Sequence, residues 1–447
     1  MIKTKPDLKF NQLWNISFGF FGVQIAFALQ QANISGIFST LGVDLDKIGY
    51  FWIVPPLMGM IVQPLVGLFS DKTWNRFGRR LPWLIVGTLI AVLVMTFLPN
   101  SGNLGLAANA VFFCVVMFML LDTSINMAMQ PFKMMVGDMV NEKQKAKAYS
   151  IQSLLCNAGA LVGNIAPFAL AAIGIANVAA PGVIPDSVKW SFYIGAAIMV
   201  VCVLYTFFNV KEYNPQQMKE FREAALTEEN ATQTSTGNSH SKKAIRVFIE
   251  VAVVQFFCWI AFTYMWTYTN ATISHNVWGT LDAASKGFQD ARNWVGIVFA
   301  VQSAGSILWA TVLPKFKNIK VGYIVSLLIG AAGFAWVPYV HNQYLLFVPY
   351  FLIGFAWAAM LAYPFTLVTN AFEGSKRMGT VLGIFNCSIC LPQIVAASLS
   401  ETLYNLVGGK LMPESNGNML LLAGILLTVG AVCVFIIEDK KHKQNIQ

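Results

Sequence analysis

The chain has 447 residues with a net charge of +9; 56% of them are hydrophobic and 11% charged, against about 25% charged in an ordinary soluble domain. No water-soluble surface can be assembled from that inventory. The seven cysteines, Cys114, Cys156, Cys202, Cys258, Cys387, Cys390 and Cys433, all fall inside apolar runs, which argues against a disulfide framework and against a zinc site even where Cys387 and Cys390 form a CxxC.

Lys3, Lys5 and Lys9 precede an apolar stretch from Leu13 to about Phe38. It is too long for the apolar core of a signal peptide, and no small-residue cleavage site follows it, so it reads as a first retained span. Hydropathy and turn residues place spans near 12–36, 47–70, 81–99, 104–131, 148–173 and 188–209. A second set follows near 246–272, 292–312, 321–340, 343–368, 378–403 and 418–437. Each is long enough to cross a bilayer, which takes about 20 helical residues. The organisation expected is an all-α membrane protein with twelve transmembrane helices. A six-helix bundle spans 1–210, a polar linker 211–245, a second bundle 246–437 and a tail 438–447.

Orientation follows from sorting the Lys and Arg residues into alternate loops, since short cytoplasmic loops retain excess positive charge. With the N-terminus inside, 25 of the 30 fall on the cytoplasmic side, among them Lys376 and Arg377, and only Lys47, Lys189, Lys286, Arg292 and Lys410 fall on the other. A miscounted span would blur that split. Twelve spans with both termini cytoplasmic, in the cell (inner) membrane, are therefore expected, and the positive charge is explained without nucleic acid as a partner. Weak internal similarity pairs the halves: Ile25-Ala26-Phe27 with Ile260-Ala261-Phe262, and Met129-Gln130-Pro131-Phe132 with Ala362-Tyr363-Pro364-Phe365. Both pairs join span n to span n + 6, as parallel transporter repeats do.

The loop between spans 2 and 3 reads Gly67-Leu-Phe-Ser-Asp71-Lys72-Thr-Trp-Asn-Arg76-Phe-Gly78-Arg79-Arg80. It resembles the major facilitator superfamily signature GxxxD(R/K)xxxxGRR in its longer sugar-symporter spacing. Asp71, at a helix end, can pair with a nearby cation in one state and release it in another; a loop that only fixes topology explains Arg79 and Arg80 but not Asp71 and the glycines.

Span 4 carries Asp122, the one carboxylate placed well inside a span, with Asn126 and Gln130 at i+4 and i+8, so the three can line one helix face. An ionisable residue at that depth is functional by default. Carboxylate and amides together suit a polyol, and the carboxylate can also take up a proton. The alternative is an Asp satisfied by neighbouring helices for structure alone. Pro131 is expected to kink the span, and Lys133 and Asp138 to lie near its cytoplasmic end, paired in an inner gate or with Lys133 snorkelling to the interface.

Within the superfamily the chain is similar to the glycoside/pentoside/hexuronide:cation symporters, and especially to their sucrose/proton symporter-like branch. Span 1 has Val23-Gln24-Ile-Ala-Phe-Ala28-Leu29-Gln30, like VQxxxALQ, and span 4 resembles LLDxxxNxxxxPxRAxxxD at Asp122, Asn126, Pro131, Lys133 and Asp138. Gln255 to Ala261, including Trp259, and Gly383 to Gln393, including Asn386, also look like family segments. The resemblance implies the major facilitator fold of two pseudo-symmetric six-helix bundles, a monomer importing a glycoside with a proton, and Asp122 as the coupling carboxylate. Gln24, Gln30, Asp122, Asn126, Gln130, Trp259, Asn386 and Gln393 are the expected sugar-binding set, and Asp71, Arg76, Arg79, Arg80, Lys133 and Asp138 the expected gates. Where the family has Arg, this chain has Lys133, which cannot pair in bidentate fashion.

Span 2 lacks the acidic residues of sodium-using members and no histidine lies deep in a span, so protons are favoured over sodium. The second half is expected to supply amides and aromatics, Gln255, Tyr264 and Trp266 among them, rather than charge. A sugar exporter or antiporter and a non-transporting sugar sensor are the competing readings. An enzyme is not expected, because no His, Cys and carboxylate cluster converges, and no cofactor or metal is called for.

Overall fold

A computed structural model describes residues 5–103, 110–221, 239–372, 378–409 and 418–437. Lys3, Lys376, Arg377, Lys410, residues 222–238 of the expected linker and the 438–447 tail lie outside the described residues. Among those described, 12 helices are long and apolar enough to cross a membrane. We number them α1 (Phe10–Thr40), α2 (Ile48–Lys72), α3 (Leu81–Gly102), α4 (Ala110–Met139), α5 (Lys147–Ala172) and α6 (Asp186–Asn209). The second set is α7 (Ala244–Trp278), α8 (Lys286–Lys315), α9 (Ile319–Tyr339), α10 (Phe347–Thr369), α11 (Ile384–Val407) and α12 (Asn418–Ile436).

The chain groups into two compact units, Met1–Leu41 with Leu57–Ser235 and Gly42–Pro56 with Thr236–Gln447. In the first, α1 packs on α5 and α6, and α3 on α4 and α6. In the second, α7 packs on α11 and α12, and α9 on α10 and α12. The same four pairings recur six helices later, so the sequence repeat is also a packing repeat. The departure is at the second helix of each unit: α8 lies along α10, whereas α2 makes no comparable run against α4.

Close helix approach in a membrane depends on small residues, because lipid provides no hydrophobic drive between apolar surfaces. On α5, Gly159 and Gly163 lie one turn apart, and a β-carbon at either would overlap the Phe21 or Ile25 carbonyl of α1. Thr206 of α6 enters the α1 backbone ladder: its hydroxyl accepts from Gly19 N at 2.8 Å and donates to the Asn15 carbonyl at 2.9 Å. An insertion of that kind locally opens an i→i−4 ladder.

The helix α2 is interrupted at Trp52 and Ile53, and the stretch before the break groups with the second unit. There the Tyr50 hydroxyl donates to Glu401 Oε2 at 2.5 Å, and the Trp52 ring lies 6.2 Å from that of Trp266.

The chain ahead of α1 is tied to the α4–α5 turn. Lys5 Nζ donates to the Gly137 carbonyl at 2.8 Å, Leu8 N to Gln144 Oε1 at 2.8 Å, and Gln144 Nε2 back to the Leu8 carbonyl at 2.9 Å.

One placement differs from the sequence reading. Arg292, expected in an outer loop, lies inside α8 and is 1% exposed. The helix begins six residues earlier, where the Ser285 hydroxyl caps it by accepting from Phe288 N at 3.2 Å, a Ser N-cap that sequence rules favour. The second unit is therefore not free of buried charge. It also buries Glu250, which pairs with Arg246 at 2.8 Å near the start of α7.

Candidate functional site

In the first unit Asp122 is fully buried at mid-length of α4. Its two carboxylate oxygens are bound by different amides: Gln30 Nε2 of α1 donates to Oδ1 at 2.9 Å, and Asn126 Nδ2 donates to Oδ2 at 2.7 Å. The helical i, i+4 spacing makes the second bond local, and Asn126 also donates to the Asp122 carbonyl at 2.9 Å. Gln63 Nε2 of α2 then donates to Asn126 Oδ1 at 2.7 Å. Three helices thus contribute to one row, Gln30, Asp122, Asn126, Gln63, in which amides and, among the described residues, no cation hold the carboxylate. The Gln30 carbonyl oxygen, Oε1, is buried without a hydrogen-bond partner among the described residues.

Of the residues named from sequence on this side, Gln30, Asp122 and Asn126 come together. Gln130, half-buried two turns beyond Asp122, takes no part in the row. Gln24 is buried where Gly159 of α5 packs against α1; six residues from Gln30, it lies on another helix face at about 100° per residue. Gln63 escaped the sequence reading. It stands alone as an amide in an apolar span, directly before Pro64, and that isolation was its only signal.

A second cluster forms at the other end of α2. Arg80, 3% exposed, binds Asp71 at 2.6 Å through Nη2, Asp138 at 2.9 Å through Nε and the Ser70 hydroxyl at 2.5 Å through Nη1. Arg79 binds the same Asp138 oxygen at 2.6 Å and lies 3.6 Å from Asp71. The ends of α2, α3 and α4 are thereby cross-linked by charge-assisted bonds, the stronger class of hydrogen bond. Arg76 stands outside this cluster, its guanidinium 4.5 Å above the Phe77 ring. Asp138 is held by Arg79 and Arg80, and Lys133 is exposed on α4.

Glu212, beyond α6, was also missed. Its carboxylate accepts from the backbone N–H groups of Arg79 at 3.1 Å, Arg80 at 2.8 Å and Leu81 at 2.9 Å. It therefore caps α3, whose first N–H groups have no partner within the helix. Gly78 makes room for it: its φ is +111°, and a β-carbon there would lie 2.6 Å from Glu212 Oε1. Nothing in sequence spacing joins residues 132 apart, so a lone Glu after span 6 carried no usable signal.

In the second unit, Trp259 and Trp266 of α7 and Trp357 of α10 form an indole cluster with centroid separations of 5.7 to 6.4 Å. Trp259 is 7% exposed, and its Nε1–H has no partner among the described residues. Gln255, one turn earlier, donates to the Met360 carbonyl at 3.3 Å while its own Oε1 stays unpartnered, as does the buried Tyr264 hydroxyl. Asn386 and Gln393 instead bond within α11, to Cys390 Sγ at 3.7 Å and to the Ile389 carbonyl at 3.0 Å. Trp357 was missed because a Trp among apolar residues of a span has the same pattern as lipid-facing or packing aromatics.

Among known proteins, the chain is 28% identical over 217 residues to Sucrose transport protein SUC3 of Arabidopsis thaliana, covering 43% of this chain and 35% of that protein. It is 26% identical over 168 residues to Proton-associated sugar transporter A of Homo sapiens, covering 36% of this chain and 22% of that protein. The match thus spans about a third or less of the length of these relatives. A crystal structure of a D-xylose-proton symporter superposes with a TM-score of 0.70 at 15% identity, covering 96% of this chain and 98% of the other. That of the nucleoside transporter NupG gives 0.59 at 16% identity, with 96% and 98% covered. The sequence model of the Major Facilitator Superfamily matches residues 16–397, and the chain belongs to that superfamily.

Proposed function

We propose that the chain is a secondary transporter that carries a sugar, a di- or oligosaccharide or another glycoside, together with a proton by alternating access. The observation that carries this reading is the environment of Asp122: a buried carboxylate held by Gln30 and Asn126 without a cation among the described residues. A permanent counter-charge would fix such a group as an anion, whereas amides serve either form. When Asp122 is ionised, the two NH2 groups donate to it; when it is protonated, its hydroxyl needs an acceptor, and Gln30 Oε1 is buried and unused. Rotation of the Gln30 amide supplies that acceptor.

The sugar is held by Asp122 and the amides of the first unit, Gln24, Gln30, Asn126 and Gln130, and by Trp259, Asn386 and Gln393 of the second. Stacking of a sugar's apolar face on indole and bonding to the orphaned Trp259 N–H are the specific contributions of the second unit. Asp71, Arg76, Arg79, Arg80, Lys133 and Asp138 form the cytoplasmic gate, with Arg79 and Arg80 exchanging partners as the ends of α2, α3 and α4 separate. The charge distribution of the loops supports cytoplasmic termini in the cell membrane, and the transporter acts as a monomer. The named activities of the sugar-transporting relatives support sugar as substrate and proton as coupling ion.

The test uses purified protein in liposomes holding a pH-sensitive dye, challenged with mono- and disaccharides in sodium-free medium. The expected result is substrate-dependent acidification of the lumen by the parent, its loss in Asp122→Asn, and retained sugar exchange by the variant. Full proton-coupled uptake by Asp122→Asn removes Asp122 from the mechanism. Uptake that appears only when sodium is added replaces the proton with sodium.

A further inference from the structure

The leading turn of α2 is set off from the rest of the helix by its sequence. Pro55 and Pro56 follow the interruption at Trp52 and Ile53. Neither proline has an N–H to return to the carbonyl four residues earlier, so the Phe51 and Trp52 carbonyls receive no helical donor. Trp52 N and Ile53 N instead donate to the Gly49 and Tyr50 carbonyls at 3.0 and 3.2 Å, the tighter i→i−3 pattern of a helix end. What the break releases, the second unit holds. Residues Gly42–Pro56 group with that unit, and Ile48–Phe51 packs along α11. A β-carbon at Gly49 would overlap the Ser400 hydroxyl, and the adjacent Tyr50 hydroxyl donates to Glu401 Oε2 at 2.5 Å.

These contacts fix Trp52 against the indole cluster. Its side chain is 2% exposed, and its ring lies 22° from parallel to that of Trp266, with centroids 6.2 Å apart. Trp266 in turn meets Trp357 edge-on at 5.8 Å and Trp259 at 6.4 Å. All three separations fall in the range where aromatic pairs attract. Trp259 and Trp266 are seven residues apart, two helical turns, and so share one face of α7. Trp266 and Trp357 are half-buried, whereas Trp52 and Trp259 are buried. The half-buried rings offer surface to a ligand, and Trp52 backs one of them.

We propose that Trp52 is a positioning residue of the sugar site, holding the Trp266 ring at the angle at which the indole face of α7 and α10 receives a sugar. The inference rests on the sugar-binding reading of that face given above. Trp52 acts through Trp266 rather than on the ligand: the orientation of an indole decides how much of a sugar's apolar face it covers, and that orientation is only as precise as the packing behind it. The Tyr50–Glu401 bond and the Gly49–Ser400 approach serve the site by keeping Trp52 in place. The leading turn of α2 thereby belongs to the binding face of the second unit.

The experiment titrates the purified full chain calorimetrically with sucrose, maltose and glucose, and compares the parent with Trp52→Ala, Trp52→Phe and Tyr50→Phe. Trp52→Ala is expected to weaken binding about tenfold, the upper end of what one aromatic pair contributes. Trp52→Phe should recover most of that loss, and Tyr50→Phe should weaken binding about threefold. Sugar exchange at saturating concentration should match the parent in all three. Saturating sugar should also change the near-ultraviolet circular dichroism of the parent, which reports fixed aromatic packing, and change it less in Trp52→Phe. Parental affinity in Trp52→Ala, with or without a lowered unfolding midpoint, overturns the inference and leaves Trp52 a packing residue. Should Trp52→Ala fail to fold, Tyr50→Phe decides, and an unchanged affinity there overturns it. A parent that binds none of the three sugars removes the sugar reading itself, whereas a parent that binds beside variants of equal affinity removes the role of Trp52 alone.

Discussion

The two units repeat one packing plan and differ in how they leave their buried polar groups. In the first, both oxygens of Asp122 are bound, and the donor to the next residue in the row, Gln63, comes from a third helix. In the second, Gln255 Oε1, Trp259 Nε1 and the Tyr264 hydroxyl, all on α7, lie buried without partners among the described residues. Unmade bonds to buried groups cost about 1–3 kcal/mol each, and on the proposed function the sugar supplies the partners of these three. On the proposed function the difference is a division of labour: a row whose carboxylate is fully bound and whose open acceptor is Gln30 Oε1, and an α7 face with three open polar atoms beside the indoles.

Substitutions on each side test that division. The largest effect is expected at Trp259. Trp259→Ala removes both stacking and donor and should weaken sugar binding by about 2 kcal/mol, roughly thirtyfold, measured by titration of binding. Trp259→Phe keeps a ring and should recover part of it, with the pH dependence of binding unaltered. A changed pH profile in Trp259→Phe would break the comparison, because it would put proton linkage in the second unit.

Next in size is Glu212→Ala. Loss of a carboxylate that accepts three N–H groups should destabilise the protein by about 2 kcal/mol, seen as a lower unfolding midpoint in detergent, with Glu212→Gln recovering part of the loss through its amide oxygen. Sugar affinity should hold steady while transport slows, since the cap supports the gate rather than the row.

The smallest effect belongs to Gln63→Leu. It leaves Asn126 Oδ1 without its donor and should cost about 1 kcal/mol of stability. Asp122 keeps both of its own amides, so substrate-driven proton uptake should persist, reduced by less than about tenfold, a ceiling set by the loss of one hydrogen bond. Abolition of uptake by Gln63→Leu would extend the coupling site to α2 and show that the row acts as one unit.

Much of the fold was legible because the bilayer imposes one length and one composition on every span. The deep position of Asp122 was legible for the same reason: a carboxylate in an apolar run has no ordinary explanation. Residues that act across helices were not. Gln63 reaches Asn126, and Glu212 reaches Leu81, through packing that chain spacing does not encode. Arg292 was misplaced by a helix boundary: six residues of α8 ahead of it look like loop because they include Lys286, Gln289 and Asp290. Conversely, the helical spacing of Gln130 suggested a partner for Asp122 that the structure does not join to it, since i+8 places two residues on one face without bringing them within reach.

The strap ahead of α1 bears on how this protein is handled. Lys5 and Leu8 are fastened to Gly137 and Gln144, on either side of Asp138, the residue both signature arginines hold. A fusion partner or affinity tag joined ahead of Lys5 would load the anchor of the gate itself. Tags placed at the opposite end of the polypeptide leave that anchor unburdened, and a difference in transport rate between the two arrangements would reveal mechanical traffic from the leading segment to the gate.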